Sequence, residues 1–270
     1  MTPTRLLSVL LPLLLAIPGA GQAPEAREQV VVLQARAQAR QAYLLRVTPP
    51  GAPRAVAVLF PGSGGNLRLP TDGSLPQLNP RGNFLVRTRQ LLCDADVAVA
   101  LVDAPSDQPG GMDDAFRAGP RHLQDIAALL EDLRGRFPGA RLFLVGTSRG
   151  TVSAAHLGAE LTGPLGGVIL TSTIFLRTRQ EAGLGGFDFR TIKAPLLFVH
   201  HADDGCPVCP YYAAARQGER FRLITVRGGA PPESGPCDPL APHGYFGKEA
   251  EVIAAIRGWI LGRPFPARID

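Results

Sequence analysis

Short apolar runs recur along the chain and alternate with stretches whose apolar residues have helical spacing. The apolar runs that predict strands are "QVVVLQARAQARQAYLLRVTPP" (two strands), "AVAVLFPG", "VAVALVDAP", "RLFLVG", "GGVILTSTIF", "APLLFVHH" and "FRLITVRGG". The stretches that predict helices are "GNFLVRTRQLLCD", "DDAFRAGPRHLQDIAALLEDLRGRF", the segment after Ser148 and "YFGKEAEVIAAIRGWIL". Continuous apolar strands that alternate with helices favour an α/β fold, in which a mostly parallel, twisted sheet is covered by helices on both faces.

The first residues have a different pattern. "MTPTRLLSVLLPLLLAIPGAGQA" begins with Arg5, continues as an apolar run from residue 6 to 17 and ends in small residues, which is typical of a secretory signal peptide. The run is short for a membrane span and contains Pro12, so we expect no stable membrane anchor. We therefore predict a signal peptide over residues 1–23, a single domain over 24–270, and a secreted or periplasmic location.

The charge pattern gives no sign of a nucleic-acid partner. The net charge is +5, and among the 28 basic residues only Lys193 and Lys248 are lysines. The arginines are spread along the chain and form no basic block interleaved with aromatic residues. We expect a small-molecule or exposed substrate and no binding to nucleic acid.

Polar residues are concentrated where the predicted strands end. "PGSGGN", "GTSRG", "ADD" and "PHGYFG" follow four of the strands or their loops. In a parallel sheet the carboxyl ends of the strands meet at one edge, where ligands bind. The sequence thus brings Ser148, an acidic residue and His243, in that chain order, to one edge of the sheet.

The pentapeptide "GTSRG" matches G-x-S-x-G and lies between a predicted strand and a predicted helix. With the order Ser, Asp, His, the chain resembles the α/β-hydrolase superfamily over nearly all of its mature length. The resemblance implies that Ser148 is a nucleophile on a strained turn with positive φ. Gly146 and Gly150 would supply the minimal side chains that such a turn needs. The alternative is an ordinary glycine-containing loop in which Ser148 only caps the helix.

A serine hydroxyl needs a base to accept its proton, and the base needs an orienting acid. The resemblance places the catalytic histidine between the last strand and the C-terminal helix, which selects His243. His156, two helical turns beyond Ser148, is the strongest rival. The other histidines, His122, His200 and His201, are interpreted as packing residues or as residues that support the site from behind.

The acid is expected in "HHADD", after a strand. Related enzymes commonly have His-Gly, two residues and then Asp, which selects Asp204 with His200 as the histidine at the strand end, although His201 replaces the usual glycine. Asp203 is the nearest alternative, and Asp188 is a more distant one.

Acyl transfer also needs donors aimed at the developing oxyanion. We expect the amide of Arg149 to be one donor and that of Ser63, in "PGSGG", to be the second. A glycine-rich loop is also compatible with a phosphate-binding site, but no Lys-Ser/Thr pair follows it and the dinucleotide spacing is absent. The side chain of Arg149 is interpreted as scaffold in preference to a contact with an acidic substrate group.

The four cysteines allow three full pairings. Because a working triad brings the loops of Asp204 and His243 together, we predict a Cys206–Cys237 disulfide, with Cys209–Cys237 as the alternative and Cys93 as a buried free thiol. "CPVC" lacks the second ligand pair of a zinc site and does not open a helix of a thioredoxin-like unit, so no metal and no cofactor are expected.

These features predict an exported serine hydrolase that cleaves carboxylic esters through an acyl-enzyme. Little chain lies between Thr173 and Lys193, so we expect little or no cap domain. A peptidase or a thioesterase on the same fold, or a non-catalytic binding protein, remains as an alternative.

Overall fold

The computed structural model describes residues 25–72 and 74–270. The predicted signal peptide lies outside the described residues. Within them, the strands are β1 (Arg27–Arg36), β2 (Ala39–Val47), β3 (Ala55–Phe60), β4 (Val97–Val102), β5 (Arg141–Thr147), β6 (Gly167–Thr171), β7 (Leu196–His201), β8 (Arg222–Val226) and β9 (Arg268–Ile269). The helices are α1 (Phe84–Leu92), α2 (Asp114–Arg117), α3 (Pro120–Arg136), α4 (Gly150–Glu160), α5 (Tyr211–Gly218) and α6 (Glu249–Leu261).

All the described strands form one sheet in the order β1-β2-β4-β3-β5-β6-β7-β8-β9. β2 pairs antiparallel with both β1 and β4, and the other neighbours are parallel. Phe60, the last residue of β3, pairs with Gly146 of β5, so the loops that follow these two strands start side by side. The predicted mostly parallel α/β sheet is confirmed.

The sheet is packed on both faces because alternate residues of its central strands point in opposite directions. Ala57 and Leu59 of β3 belong to a core that includes residues of α1 and α6. Val56 and Val58 of the same strand belong to a second core, which includes residues of α3 and α4. Helices therefore cover both faces, as the sequence predicts.

Three local features differ from the sequence predictions. The helix predicted across residues 113–137 is two helices, because Pro120 disfavours helical backbone at Gly119, which becomes the N-cap of α3. β6 is shorter than its apolar run and ends before Ser172, which has a left-handed φ of 44°. The short helix α5 was not predicted because it buries only Ala214 and has no apolar stripe. The strand β9, of two residues, was not predicted either.

The segment between β6 and β7 covers residues 172–195 and carries no cap domain. Its regular structure in the described chain is the 3₁₀ helix Phe189–Thr191. Among the helices that the structure describes, none is long and apolar enough to cross a membrane.

Candidate active site

Ser148, Asp204 and His243 lie at the carboxyl edge of the sheet. Ser148 stands between β5 and α4, Asp204 follows β7, and His243 lies in the 3₁₀ helix Pro242–Gly244, beyond β8. The edge where parallel strands end is where an α/β sheet presents loops to a ligand. The fold thus brings together the three residues that the sequence selects.

The turn at Ser148 has the predicted left-handed backbone, with a φ of 51°. The Ser148 amide donates to Thr171 O at 3.0 Å, and Thr151 donates back to Ser148 O through its amide and its hydroxyl. A Cβ on Gly146 would overlap the carbonyl of Gly150, and a Cβ on Gly150 would overlap the carbonyl of Phe60. Both positions therefore require glycine, and the serine between them is held on a tight bend.

His243 and Asp204 are in direct contact. Nδ1 of His243 lies 3.0 Å from Oδ2 and 3.3 Å from Oδ1 of Asp204. The Asp204 side chain is fully buried, and its Oδ1 also accepts from the Cys206 amide at 2.9 Å. Nε2 of His243 is buried and has no hydrogen-bond partner among the described residues. The histidine is thus oriented through one nitrogen, and its other nitrogen is left free.

Ser148 and His243 line the same small cavity, of about 90 Å³, together with Ser63, Asn83 and Phe84 among others. Ser63 also has a left-handed φ, of 51°. In the described part of the chain, neither the Ser63 amide nor the Arg149 amide donates a hydrogen bond. Both predicted oxyanion donors are therefore unengaged, one in a residue that lines this cavity and one directly after Ser148.

The side chain of Arg149 is engaged elsewhere. Its Nη1 lies 2.7 Å from Oδ1 of Asp114, whose side chain is buried, and 3.2 Å from Oε1 of Glu181. These two carboxylates tie the start of α4 to α2 and to the loop after β6. The scaffold interpretation of the Arg149 side chain agrees with this geometry.

The alternative acids lie elsewhere. The side chain of Asp203 is 63% exposed, and its backbone amide donates to Nδ1 of His201 at 3.0 Å. Asp188 is exposed at the N-terminus of a 3₁₀ helix and pairs with Arg190. Neither carboxylate contacts His243.

Three of the other histidines occupy packing positions, and His201 makes hydrogen bonds to backbone groups. His122 and His200 are fully buried, and burial lowers the pKa of His122 to about 3 and that of His200 to about 4, so both rings are neutral near pH 7. His156 packs edge-on against Phe187, and burial lowers its pKa as well. Nε2 of His201 is hydrogen-bonded to the carbonyl oxygen of Gly228, at 2.9 Å.

Two residues that the sequence analysis missed hold the His243 loop, Ser172 directly and Tyr245 through Ser172. The hydroxyl of Ser172 donates to His243 O at 2.7 Å. The hydroxyl of Tyr245 accepts from the Ser172 amide at 3.0 Å and donates to Val199 O at 2.7 Å. These bonds connect the histidine loop to the ends of β6 and β7, and no sequence motif marks them.

Arg87 of α1 holds the same loop from the other side. Its Nη2 donates to Gly244 O at 2.6 Å and to Pro239 O at 3.1 Å, and it lies 2.9 Å from Oε1 of Glu249. An arginine in an amphipathic helix is normally read from sequence as a solvated residue, which is why sequence reasoning overlooked it.

Arg117 of α2 holds the loop after β3 in the same way, through its backbone carbonyls. Sequence reasoning also missed this residue. Its side chain is only 1% exposed, and it donates to Ser63 O at 2.9 Å, to Ser153 Oγ at 2.9 Å and to Pro61 O at 3.4 Å. Burial lowers its pKa to about 10, so the guanidinium stays charged at neutral pH. The cation therefore fixes the Ser63 loop against helix α4.

The structure contains the predicted Cys206–Cys237 disulfide, which joins segments 31 residues apart. Cys209 is free and buried. Cys93 is free as expected, but it is half-buried, at the C-terminal end of α1 against the edge of the core.

Sulfur and nitrogen atoms of Cys206, Cys209 and His243 lie within 4.8 Å of one another. Cys206 Sγ is already bonded to Cys237. Two donors remain, which is fewer than a structural zinc site uses.

No protein-family model matches the chain, and no curated protein matches it. Solved structures do match. A lidless α/β serine hydrolase from Xanthomonas campestris is 16% identical, with a TM-score of 0.58 over 87% of this chain and 94% of that one. A dienelactone hydrolase from Anabaena variabilis is 15% identical, with a TM-score of 0.61 over 88% and 98%. Est1E of Butyrivibrio proteoclasticus, with ferulic acid bound, is 13% identical, with a TM-score of 0.61 over 86% and 98%.

These likenesses show that the chain has the α/β-hydrolase fold, which is the fold that the resemblance implied. Its structural neighbours are serine hydrolases and esterases. The neighbour described as lidless spans most of this chain, in agreement with the short segment between β6 and β7.

Removing the disulfide is expected to destabilise the protein. In a Cys206→Ser/Cys237→Ser double variant, the unfolded chain regains the freedom of a 31-residue loop, worth roughly 3–4 kcal/mol in chain-entropy models. Urea unfolding without reductant measures the loss, with Cys93→Ser as the control that changes stability little. Equal stability of the double variant and the wild type, or a Cys93-linked peptide in a non-reduced digest, would contradict the expectation.

Proposed function

We propose that this protein is a serine hydrolase that cleaves carboxylic esters through an acyl-enzyme on Ser148. The observation that carries the proposal is the contact of Asp204 with Nδ1 of His243, which leaves Nε2 of that ring free beside the left-handed turn of Ser148. The chain order, the Asp204–His243 contact and the cavity that Ser148 shares with His243 support the roles of nucleophile, base and orienting acid.

In the proposed reaction, His243 Nε2 accepts the proton of Ser148 Oγ as Oγ attacks the ester carbonyl. The oxygen of the tetrahedral intermediate accepts hydrogen bonds from the amides of Ser63 and Arg149. The protonated His243 then donates its proton to the leaving alcohol, and the acyl group stays on Ser148. Water, deprotonated by His243, then attacks the acyl carbonyl. The bond between that carbonyl and Ser148 Oγ breaks, the protonated His243 returns its proton to Oγ, and the carboxylic acid is released.

Asp204 holds the proton on Nδ1 of His243 throughout, so that Nε2 is the basic nitrogen in the resting state. It also stabilises the positive charge that the imidazole gains in each half-reaction. Burial of the carboxylate strengthens this interaction, since the effective dielectric constant is lower inside the protein than in water.

The choice of esters as substrates is supported by the structural neighbours. One is named an esterase, one a dienelactone hydrolase, and one holds ferulic acid, a carboxylic acid. We propose a small-molecule or exposed ester as the substrate of this chain as well, at a site without a lid.

We also propose that the protein works after export. The signal-like pattern of residues 1–23 is one support. The disulfide is the other, because such bonds persist in oxidising compartments and are rare in the cytosol.

Replacement of Ser148 by alanine should reduce ester turnover by more than ~10⁴-fold and remove covalent labelling by a fluorophosphonate probe. His243→Ala should reduce turnover to a similar degree, since the two residues act as a unit. Hydrolysis of p-nitrophenyl esters and labelling measured by intact mass test both changes, with circular dichroism as the check on folding. Normal turnover by Ser148→Ala would refute the assignment.

Asp204→Asn should lower kcat by about 10³- to 10⁴-fold, because the amide cannot hold the productive tautomer or stabilise the imidazolium. Asp203→Asn is the matched control, since its side chain is exposed and away from His243, and it should retain most activity. A reversed pair of results would assign the acid to Asp203, and two mild results would point to Asp188.

Arg117→Met should lower kcat by about 10²-fold with a smaller change in KM, because the freed Ser63 loop no longer holds its amide toward the oxyanion. Arg121→Met removes an exposed arginine four residues later and serves as the control. Steady-state kinetics on a folded Arg117→Met protein test this, and an unchanged kcat would show that the loop does not need the guanidinium.

A further inference from the structure

A second cavity, of about 490 Å³, adjoins the small cavity of Ser148. The two share Ser63 and Asn83 in their linings. The larger cavity is formed by the loop after β3, by residues 77–86 and by residues 109–110. A substrate attacked by Ser148 therefore has room to extend past Ser63 into this space.

Asn83 marks the boundary between the two cavities. Its Oδ1 accepts from the Leu85 amide at 3.1 Å as the N-cap of α1, which fixes the side chain so that Nδ2 faces the other way. A Cβ on Gly62 would lie 3.0 Å from Asn83 Nδ2 and 3.0 Å from the Cβ of Ser148. Nδ2 makes no hydrogen bond in the described part of the chain, so a free donor stands next to the nucleophile.

The loop that carries Arg68 is rigidly built. Asp103 is buried, and its carboxylate accepts from the amides of Leu67 at 2.6 Å, Leu69 at 2.7 Å and Ala104 at 2.8 Å. Arg68, between the first two of these residues, has a left-handed φ of 53°. Non-glycine residues in this region are strained and persist where the surroundings impose them, often at ligand sites.

The larger cavity carries a single type of charge. Of the described residues that line it, only Arg68 is charged, and the other polar side chains are those of Asn66, Gln77, Asn79, Asn83 and Ser63. The guanidinium of Arg68 forms no ion pair or hydrogen bond with any described residue. Its charge is therefore available to a ligand, and no acidic side chain in the lining competes for it.

We propose that this cavity is a substrate subsite for a carboxylate group, and that Arg68 recognises that carboxylate. The inference rests on the proposed esterase function and specifies its substrate class. The substrate is a carboxylic ester with a second, ionised carboxyl group, either on the acyl side, as in a dicarboxylic acid monoester, or on the alcohol side. A guanidinium binds a carboxylate through paired, charge-assisted hydrogen bonds.

Two matched pairs of esters test the proposal. The acyl pair is the p-nitrophenyl monoester of glutaric acid and the p-nitrophenyl ester of glutaramic acid. The alcohol pair is 3-carboxyphenyl acetate and 3-carbamoylphenyl acetate. Within each pair the compounds have nearly the same shape and differ in one negative charge. The ratio of the two kcat/KM values therefore reports recognition of charge alone.

For the wild-type protein, at least one pair should favour the anionic ester by roughly tenfold, the effect of one charge-assisted contact. Arg68→Gln should bring that ratio close to one, and Arg68→Lys should restore part of it. Both variants keep a non-glycine residue at the left-handed position, so the backbone strain is unchanged. Raising the salt concentration to about 0.5 M should also reduce the ratio, because the contact is screened.

Arg54→Gln is the control. Arg54 is exposed, as Arg68 is, but it precedes β3 and so lies at the end of the sheet away from Ser148. The ratio of the two kcat/KM values should therefore not change in this variant. A ratio near one for both pairs, or a ratio that Arg68→Gln leaves unaltered, would overturn the subsite while ester hydrolysis itself stands. Failure of the wild type to hydrolyse any of the four esters, together with no fluorophosphonate labelling, would overturn the proposed function and the subsite with it.

Discussion

The close approach of Gly150 to the carbonyl of Phe60 is the contact on which the rest of the site depends. It brings the first residue of α4 against the end of β3, at a distance that only glycine permits. Two loops then have to run side by side, the one that begins at Pro61 and the one that contains Ser148. The bend at Ser148 and the neighbouring unengaged amides of Ser63 and Arg149 thus follow from one packing arrangement between a strand and a helix.

The loops around this contact are held by polar side chains that reach backbone carbonyls. Arg117 holds the Ser63 loop, Arg87 holds the loop around Gly244, and Ser172 holds His243 directly. Irregular loops leave carbonyl groups that no strand or helix satisfies, and an arginine satisfies several of them at once. Each such arginine places a charged side chain in a buried or half-buried position, where it fixes the loops of the candidate site.

The sequence predicts much of this fold because apolar runs of strand length and a glycine-flanked serine are local signals. Gly146 and Gly150 are recognisable since the bend excludes side chains, and Asp204 and His243 follow from their places after strands. The break between α2 and α3 at Gly119 was missed because the apolar helical spacing continues across Pro120, which ends the first helix. The short helix α5 was missed because its apolar pattern is weak. The roles of Arg87, Arg117 and Tyr245 depend on contacts between residues distant in sequence, for which no local pattern exists. The disulfide was predictable only because the predicted triad requires two loops to converge.

The arrangement of the cysteines has a consequence for how the chain matures. Cys209 is three residues from Cys206 and lies close to it in the folded protein, whereas Cys237 is 31 residues away. In an unfolded chain, a Cys206–Cys209 bond closes a shorter loop and loses less chain entropy than a Cys206–Cys237 bond. Cys206 therefore meets Cys209 more often than it meets Cys237. Oxidation before β7 and β8 have paired therefore favours the wrong ring, and oxidation afterwards favours the native one. Formation of the Cys206–Cys237 bond is therefore favoured when the sheet assembles before oxidation, and the yield of correctly bonded protein depends on the timing of oxidation relative to folding.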